Sequence, residues 1–222
     1  MIREIELKYR FEDLSAFQKM LSSLPAPTRI EKQTNNFFDT QSLSLKAEHI
    51  FLRLRQSNED FYFTCKAKPE NMAKPSDTLS IHDEWEEKLA DADAQALFTG
   101  QEHPLNLLKR SWPNESESSK QTRQSLLNRI NNLNLTQPIA WVGSFKNTRT
   151  HVAFNILNQP LDLEFDATDF GSRIDYEVEC ELPATMDPTH AESELQALFE
   201  QAGVQAGASS GKAERFFKLN RS

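Results

Sequence analysis

The sequence predicts an α+β protein in which a large antiparallel β-sheet or β-barrel packs against helices. Eight segments carry aromatic or aliphatic residues at every second position, which is the spacing of β-strands. Most of these segments are joined by short polar links, as neighbouring strands are in antiparallel sheets. Four further segments show the apolar spacing or the capping residues of helices.

The predicted strands begin at the start of the chain and extend over most of its length. They cover residues 2–11, 33–39, 50–57, 60–68, 81–89, 139–154, 161–168 and 173–182. Asn58 and Glu59 alone separate two of these segments, which predicts a hairpin.

The predicted helices lie between and after the strands, at residues 13–24, 92–98, 121–133 and 187–203. Asp13 is a candidate N-cap for the first helix. Asp187 followed by Pro188 is a typical start for the last helix, since aspartate caps a helix and proline fits its first position.

The composition is that of a globular protein, with 38% hydrophobic and 26% charged residues. We predict one domain over residues 1–222, with a C-terminal helix and tail from about residue 187 that packs on the barrel or closes it. No apolar run reaches the roughly 18 residues of a membrane span, and acidic residues stand where a signal peptide would be apolar. We therefore expect a cytoplasmic protein without a membrane partner, either a monomer or a homodimer.

The formal net charge of −8 argues against general nucleic-acid binding, which depends on clustered lysines and arginines. Charge is nevertheless concentrated on particular strands. Residues i and i+2 of a strand share one face about 6.6 Å apart. Carboxylates alternate in this way at Glu4 and Glu6 (followed by Lys8), Glu84 and Glu86, Glu164 and Asp166, and Glu177 and Glu179. Cations do so at Arg53 and Arg55, and at Lys66 and Lys68.

The sorting of these charges by sign predicts a binding site. Each set alone fits the solvated face of an antiparallel sheet. Like charges at this spacing repel, however, unless a group of opposite charge lies between them. A divalent metal ion would satisfy the carboxylates, and a phosphate chain would satisfy the cations. A triphosphate bound with Mg²⁺ or Mn²⁺ would meet both requirements.

These motifs resemble those of the CYTH, or triphosphate tunnel metalloenzyme, superfamily. Glu4-Ile5-Glu6-Leu7-Lys8 is similar to its N-terminal E-x-E-x-K signature. The other matching elements follow in order: Phe38-Asp39, Leu52-Arg53-Leu54-Arg55, Lys66-Ala67-Lys68, Glu84-Trp85-Glu86, Lys146-x-x-Arg149, Phe170-Gly171, Tyr176-Glu177-Val178-Glu179 and Lys212. The resemblance therefore covers nearly the whole chain.

The resemblance implies an eight-stranded antiparallel β-barrel that forms a triphosphate tunnel, with helices outside. It implies that the triphosphate is held by Lys8, Arg53, Arg55, Lys66, Lys68, Lys146, Arg149 and Lys212. It implies Mg²⁺ or Mn²⁺ at Glu4, Glu6, Glu177 and Glu179, with Glu84, Glu86, Glu164 and Asp166 near a second position. The catalytic candidates are Glu4, Glu6, Lys8 and Lys66. Lys146 and Arg149 are three positions apart, so a β-bulge is needed to bring them to one face.

The function that the resemblance implies is hydrolysis of a small-molecule triphosphate, with inorganic tripolyphosphate as the leading substrate. Phe37 and Phe38 stand where thiamine triphosphatases carry tyrosines, and residues 169–181 are more similar to plant-type inorganic triphosphatases. A thiamine triphosphatase and a class IV adenylyl cyclase remain enzymatic alternatives. A polyphosphate- or nucleotide-binding protein and a structural domain with charged faces are the non-enzymatic ones.

Overall fold

Residues 2–70 and 76–219 are described by the computed structural model, and they form nine strands and seven helices. The strands are β1 (Arg3–Phe11), β2 (Arg29–Asp39), β3 (Ile50–Ser57), β4 (Asp60–Ala67), β5 (Leu79–Leu89), β6 (Ala140–Ile156), β7 (Gln159–Asp169), β8 (Ile174–Glu181) and β9 (Ala206–Ala208). The helices are α1 (Leu14–Ser22), α2 (Ser44–Ala47), α3 (Asp91–Phe98), α4 (Pro104–Lys109), α5 (Glu117–Asn132), α6 (Pro188–Gln201) and α7 (Lys212–Leu219). Positions 220–222 of the predicted C-terminal tail lie outside the described residues.

The strands belong to one sheet, in the order β5-β4-β3-β2-β6-β7-β8-β1-β9. A further pairing between β5 and β1 closes the first eight strands into an antiparallel β-barrel, and β9 lies outside the closed set. The predicted fold class is therefore confirmed. All eight predicted strands are present within about four residues of their expected ends, whereas β9 was not predicted.

Capping side chains begin three of the four helices that the sequence predicted, α1, α5 and α6. The Asp13 carboxylate accepts a hydrogen bond from the Ala16 N–H at 2.8 Å, and the Asp187 carboxylate accepts one from the Thr189 N–H at 2.8 Å. Helix α5 begins at Glu117, four residues before the predicted start, because the Ser116 hydroxyl caps it by accepting from the Ser119 N–H. The helices α2, α4 and α7 were not predicted.

The described chain divides into two compact units. The first, unit 1, comprises residues 2–3, 33–70 and 82–145, and the second, unit 2, comprises residues 4–32, 76–81 and 146–219. In unit 1, strands β3 and β4 pair antiparallel, with Arg53 opposite Thr64. Their apolar face packs in a core that includes Leu52, Phe63 and Trp85 together with residues of α3, α4 and α5.

In unit 2, strands β1, β7 and β8 pack their apolar face against α1 and α6. The Phe11 ring lies 5.9 Å from the Phe17 ring and 6.0 Å from the Phe199 ring, measured between centroids. The opposite face of these strands is also buried, but it carries ionisable side chains such as Glu177, which is 0% exposed. A strand with one apolar and one charged buried face explains why the apolar alternation was so regular in the sequence.

A search of the described helices finds none that is both long and apolar enough to cross a membrane.

A buried ion pair outside the strands of unit 1 gives a first test of the fold. The Arg123 guanidinium donates to both oxygens of Glu115, at 2.8 and 2.7 Å, and to the Leu108 carbonyl at 2.6 Å. These side chains are 6% and 5% exposed, so Arg123→Met leaves the Glu115 carboxylate without its main partner. We expect a loss of about 3–5 kcal/mol in the free energy of unfolding, measured by urea denaturation.

The matched control is Asp60→Asn, which breaks the exposed pair between Lys88 and Asp60 and should change the free energy by about 1 kcal/mol or less. An equal loss of unfolding free energy in the two variants would contradict a stabilising role for the buried Arg123–Glu115 ion pair. Because hydrogen bonds from Arg123 lower the pKa of Glu115, this stabilisation should be lost as the pH falls below the ordinary glutamate value of 4.5.

Candidate functional site

A buried cluster of carboxylates lies on β7 and β8 in unit 2. The register places Glu164 opposite Glu179 and Asp166 opposite Glu177. Side chains that are directly opposite on antiparallel strands lie on one face, so these four carboxylates are neighbours. Asp166 and Glu177 are 0% exposed and Glu179 is 5% exposed. We call Asp166, Glu177 and Glu179 the acidic centre.

Lys212, the first residue of α7, lies within the acidic centre. Its Nζ is 2.7 Å from Asp166 Oδ2, 2.6 Å from Glu177 Oε1 and 2.8 Å from Glu179 Oε1. The lysine side chain is 12% exposed, so Lys212 is a largely buried residue and not a solvated one.

Arg149 reaches the acidic centre from β6, where it is directly opposite Asp166. It donates to Asp166 through Nε at 2.9 Å and through a terminal nitrogen at 2.6 Å, and to Glu179 at 2.7 Å. Its other terminal nitrogen pairs with Glu164. Asn147, on the same face, donates to Asp166 at 2.6 Å.

Arg215 and Ser209 anchor the segment that carries Lys212. Arg215 pairs with Glu177 at 2.8 Å and with Asp175 at 2.9 Å, and the Ser209 hydroxyl donates to Glu177 at 2.7 Å. The sequence analysis missed both residues. The spacing Lys212-x-x-Arg215, which places two cations on one side of a helix, was the signal that could have found the arginine.

Strand β1 adds the N-terminal motif to this part of unit 2. Lys8 Nζ lies 2.8 Å from Glu6 Oε1 and 2.5 Å from Glu179 Oε1, and both Glu6 and Lys8 are buried. Glu4 is half-buried and two residues along the same strand face. Two of the three charged residues of the predicted E-x-E-x-K motif thus join the carboxylates of β8.

The pKa values follow from the balance of burial and charge. Burial opposes ionisation of Glu179, but Lys212, Lys8 and Arg149 hold its pKa well below the usual range. Burial likewise opposes ionisation of Asp166, and Arg149 and Lys212 lower its pKa. Glu164 behaves differently, because burial raises its pKa to about 7 despite the nearby Arg149.

The donor set of the acidic centre fits a divalent metal ion. One carboxylate oxygen from each of Asp166, Glu177 and Glu179 lies within 4.8 Å of the others. All three donors are hard oxygens, the ligands that Mg²⁺ and Mn²⁺ prefer. A divalent cation here would take over the charge compensation that Lys212 provides.

Lys146 lies apart from this cluster. The β6–β7 register is continuous from Lys146 to Ile156, so this pairing of the described strands has no bulge that could bring Lys146 to the face of Arg149. Lys146 therefore lies on the face opposite Arg149, and its side chain is exposed.

Unit 1 carries the other predicted cations in cross-strand rows. Arg53, Thr64 and Glu86 are opposite one another on β3, β4 and β5. Glu86 accepts hydrogen bonds from Arg55 at 3.0 and 3.2 Å and from the Thr64 hydroxyl at 2.7 Å, and Arg53 is 3.6 Å away.

The next row of unit 1 contains Lys66, whose Nζ is 3.2 Å from Glu84 Oε2. Arg53, Arg55 and Lys66 have side chains between 19% and 25% exposed. Glu84 and Glu86, which were predicted near a metal ion, are thus ion-pair partners of the cations in unit 1.

Two other motif residues of unit 1 lie away from these rows. Lys68 follows the end of β4 and is exposed. The Asp39 carboxylate accepts backbone N–H bonds from Thr40, Leu45 and Lys46 at 2.7 to 2.9 Å, so it stabilises the turn into α2.

Comparison with known proteins identifies the family. The model of the CYTH domain matches residues 2–216, so the chain belongs to the CYTH family. A comparison with curated protein sequences found no match.

Solved structures with the same fold include HpAC1 from Hippeastrum, classed as an adenylyl cyclase and found to have a dominant triphosphatase activity. It is 26% identical over 97% of this chain and 95% of its own, with a TM-score of 0.78. A Bacillus halodurans protein classed as an adenylate cyclase is 19% identical over 98% and 100% of the two chains, with a TM-score of 0.67. PH1819 from Pyrococcus horikoshii is 13% identical over 98% and 99%, with a TM-score of 0.56.

The position of Lys212 leads to a prediction about stability. Lys212→Met leaves three buried carboxylates with one cation fewer, so the thermal unfolding midpoint in EDTA should fall. Added Mg²⁺ or Mn²⁺ should raise it by more than in the wild type, because the metal binds only the folded centre. Lys146→Met, at an exposed lysine of the same unit, is the control. Equal metal-induced shifts in the three proteins would contradict metal binding at the acidic centre.

Proposed function

We propose that this chain is a divalent-metal-dependent triphosphatase, with inorganic tripolyphosphate as its main substrate. The observation that carries the proposal is the acidic centre, three buried carboxylates with oxygens within 4.8 Å in a chain of the CYTH family. Buried carboxylates at this spacing strongly destabilise each other, and a site that must hold a metal ion is a physical reason to keep them.

The acidic centre would hold Mg²⁺ or Mn²⁺ through Asp166, Glu177 and Glu179, with Glu4 and Glu6 as further candidates. Such an ion would polarise phosphoryl oxygens and lower the pKa of a bound water. Around it, Arg149 fixes the position of Asp166 and Glu179 through charged hydrogen bonds. This rigid arrangement would hold the substrate in a geometry suited to attack on the terminal phosphorus.

The cations would bind the phosphate chain and stabilise charge on the leaving diphosphate. We assign this role to Lys8, Arg149 and Lys212, which lie around the acidic centre, and the family resemblance implies the same role for Arg53, Arg55 and Lys66. Guanidinium groups match phosphate oxygens with a planar pair of donors, and lysine supplies a point charge. Phosphoryl transfer depends mainly on positioning and charge neutralisation, so these groups suffice without a covalent nucleophile. Lys68 and Lys146 are left out of this assignment because Lys68 follows the end of β4 and Lys146 lies on the strand face opposite Arg149.

The choice of substrate rests on two supporting observations. Phe37 and Phe38 are each 2% exposed, and neither has the hydroxyl that the thiamine triphosphatases carry here. HpAC1, which is 26% identical, has a dominant triphosphatase activity. HpAC1 is also classed as an adenylyl cyclase, so formation of cyclic AMP from ATP is the second candidate. The single domain, the cytoplasmic location and the oligomeric state stay predictions.

The deciding experiment is an assay of phosphate release from tripolyphosphate, thiamine triphosphate and ATP. With Mg²⁺ or Mn²⁺ we expect tripolyphosphate to be hydrolysed fastest. Unlike thiamine triphosphate and ATP, it carries no organic substituent, so both ends of its phosphate chain are available to the cations. EDTA should abolish the release, and renewed addition of metal should restore it. No release from any of the three with either metal would overturn the proposal, and cyclic AMP formed from ATP would favour the cyclase.

Single substitutions should separate catalysis from stability. Arg55→Ala should lower kcat/KM for tripolyphosphate by about 100-fold, the usual effect of removing one donor that stabilises developing charge. Glu4→Gln should also lower activity strongly, and urea midpoints should stay near the wild type because both side chains are partly exposed. Lys146→Ala is the control, with an expected effect below about 0.5 kcal/mol on either quantity. Loss of activity in step with loss of stability would instead support a structural role for these charges.

A further inference from the structure

Another cluster of possible metal ligands lies in unit 2, centred on His151. The register of β6 and β7 places His151 opposite Glu164 and Ala153 opposite Asp162. The short Ala153 side chain leaves Asp162 room to lean along the strand towards the imidazole. His151 is 3% exposed, whereas the Asp162 side chain is 48% exposed.

The distances define the ligand atoms. His151 Nδ1 is 2.5 Å from Asp162 Oδ2 and 4.0 Å from Glu164 Oε1. On the other side of the ring, Nε2 is 3.5 Å from Glu31 Oε1. One atom from each of His151, Asp162 and Glu164 lies within 4.8 Å of the others. The other Glu164 oxygen pairs with Arg149, which holds that carboxylate in place.

Arg29 is the cation beside this ring, and its position leaves Nδ1 accessible. One terminal nitrogen of Arg29 is 3.1 Å from Nε2 and 3.4 Å from Nδ1. If this Arg29 nitrogen lay in the ring plane, its distances to both ring nitrogens would make it overlap Cε1, the carbon between them. The guanidinium therefore lies over the face of the ring. The Nδ1 atom faces Asp162 in the ring plane, where it shares a proton with the carboxylate and could bind a metal ion once that proton is lost. The Arg29 Nε is also paired with Glu31 at 2.8 Å, which neutralises part of its charge.

We propose that His151, Asp162 and Glu164 form a second metal site, which binds a divalent transition metal and prefers Zn²⁺ to Mg²⁺. Imidazole nitrogen favours zinc and similar metals, whereas Mg²⁺ favours oxygen ligands alone. Three protein ligands with a fourth position for water is a common zinc arrangement. The carboxylate of Glu31 near Nε2 is placed as the partner that usually orients a ligating histidine.

Binding requires a small movement of one side chain. Zinc–nitrogen and zinc–oxygen bonds are about 2.0–2.2 Å long, so ligand atoms on one zinc ion are further apart than Nδ1 and Asp162 Oδ2 are here. The half-exposed Asp162 side chain can rotate to make this space, and the metal ion then replaces the proton that the two atoms share. This site differs from the acidic centre in its nitrogen ligand, and it does not rest on the proposed triphosphatase activity.

The test is calorimetric titration of the full chain with Zn²⁺ in excess Mg²⁺, which occupies oxygen-only sites. We expect one equivalent of Zn²⁺ to bind the wild type, and His151→Gln and Asp162→Asn each to weaken this binding by about ten-fold or more. His190→Gln is the matched control, since it removes a histidine that is 73% exposed and has a carboxylate 3.8 Å away. It should bind Zn²⁺ as the wild type does.

Two outcomes would overturn the site: no Zn²⁺ binding by the wild type in excess Mg²⁺, or equal binding by the wild type and both cluster variants. The first is expected if His151 and Asp162 form only a hydrogen bond. Should His151→Gln fail to fold, as judged by circular dichroism, Asp162→Asn still decides, because the exposed Asp162 side chain contributes little to the core.

Discussion

The neutralisation of buried carboxylates is the constraint on which the structure of unit 2 depends. Asp166 and Glu177 are completely buried, and an isolated carboxylate in such a place would take up a proton rather than remain charged. Lys212 and Arg149 prevent this by supplying charge and hydrogen bonds within 3 Å. The cations come from α7 and β6, whereas the carboxylates come from β7 and β8. Correct pairing of these elements is therefore a condition for folding, since a misplaced strand would leave charges without partners.

Such an arrangement is a poor way to gain stability alone. Well-packed hydrophobic residues in the same volume are often as stabilising as a buried ion network, or more so. Unit 2 already buries a large apolar face against α1 and α6, where Phe11 contacts Phe17 and Phe199. The retained charges on the other face are thus better explained by a ligand than by the fold. Membership of the CYTH family is consistent with this explanation.

The fold could be predicted in large part because alternation along a strand is a local property. Each of the eight barrel strands could be recognised within its own residues, and so could the helices with aspartate caps. Among the missed elements, β9 has only three residues, and it forms because Tyr9, Arg10 and Phe11 of β1 pair with it. Contacts between distant residues could not be predicted. Arg215 meets Glu177 across 38 positions, and Arg29 meets His151 across 122. For Lys146, the family motif implies a phosphate-binding role, whereas the strand register places this lysine on the face opposite Arg149.

The two units use charge in different ways. In unit 2 the carboxylates are buried together with the cations from other elements that surround them, such as Lys8 and Arg215. In unit 1 the cations Arg53, Arg55 and Lys66 remain about a fifth to a quarter exposed, and Glu84 and Glu86 pair with them. A partly solvated guanidinium can exchange one anion for another with little loss of hydration, whereas a more deeply buried one does so at a greater cost. The cations of unit 1 are therefore suited to exchange partners, and the carboxylates of the acidic centre are suited to remain fixed.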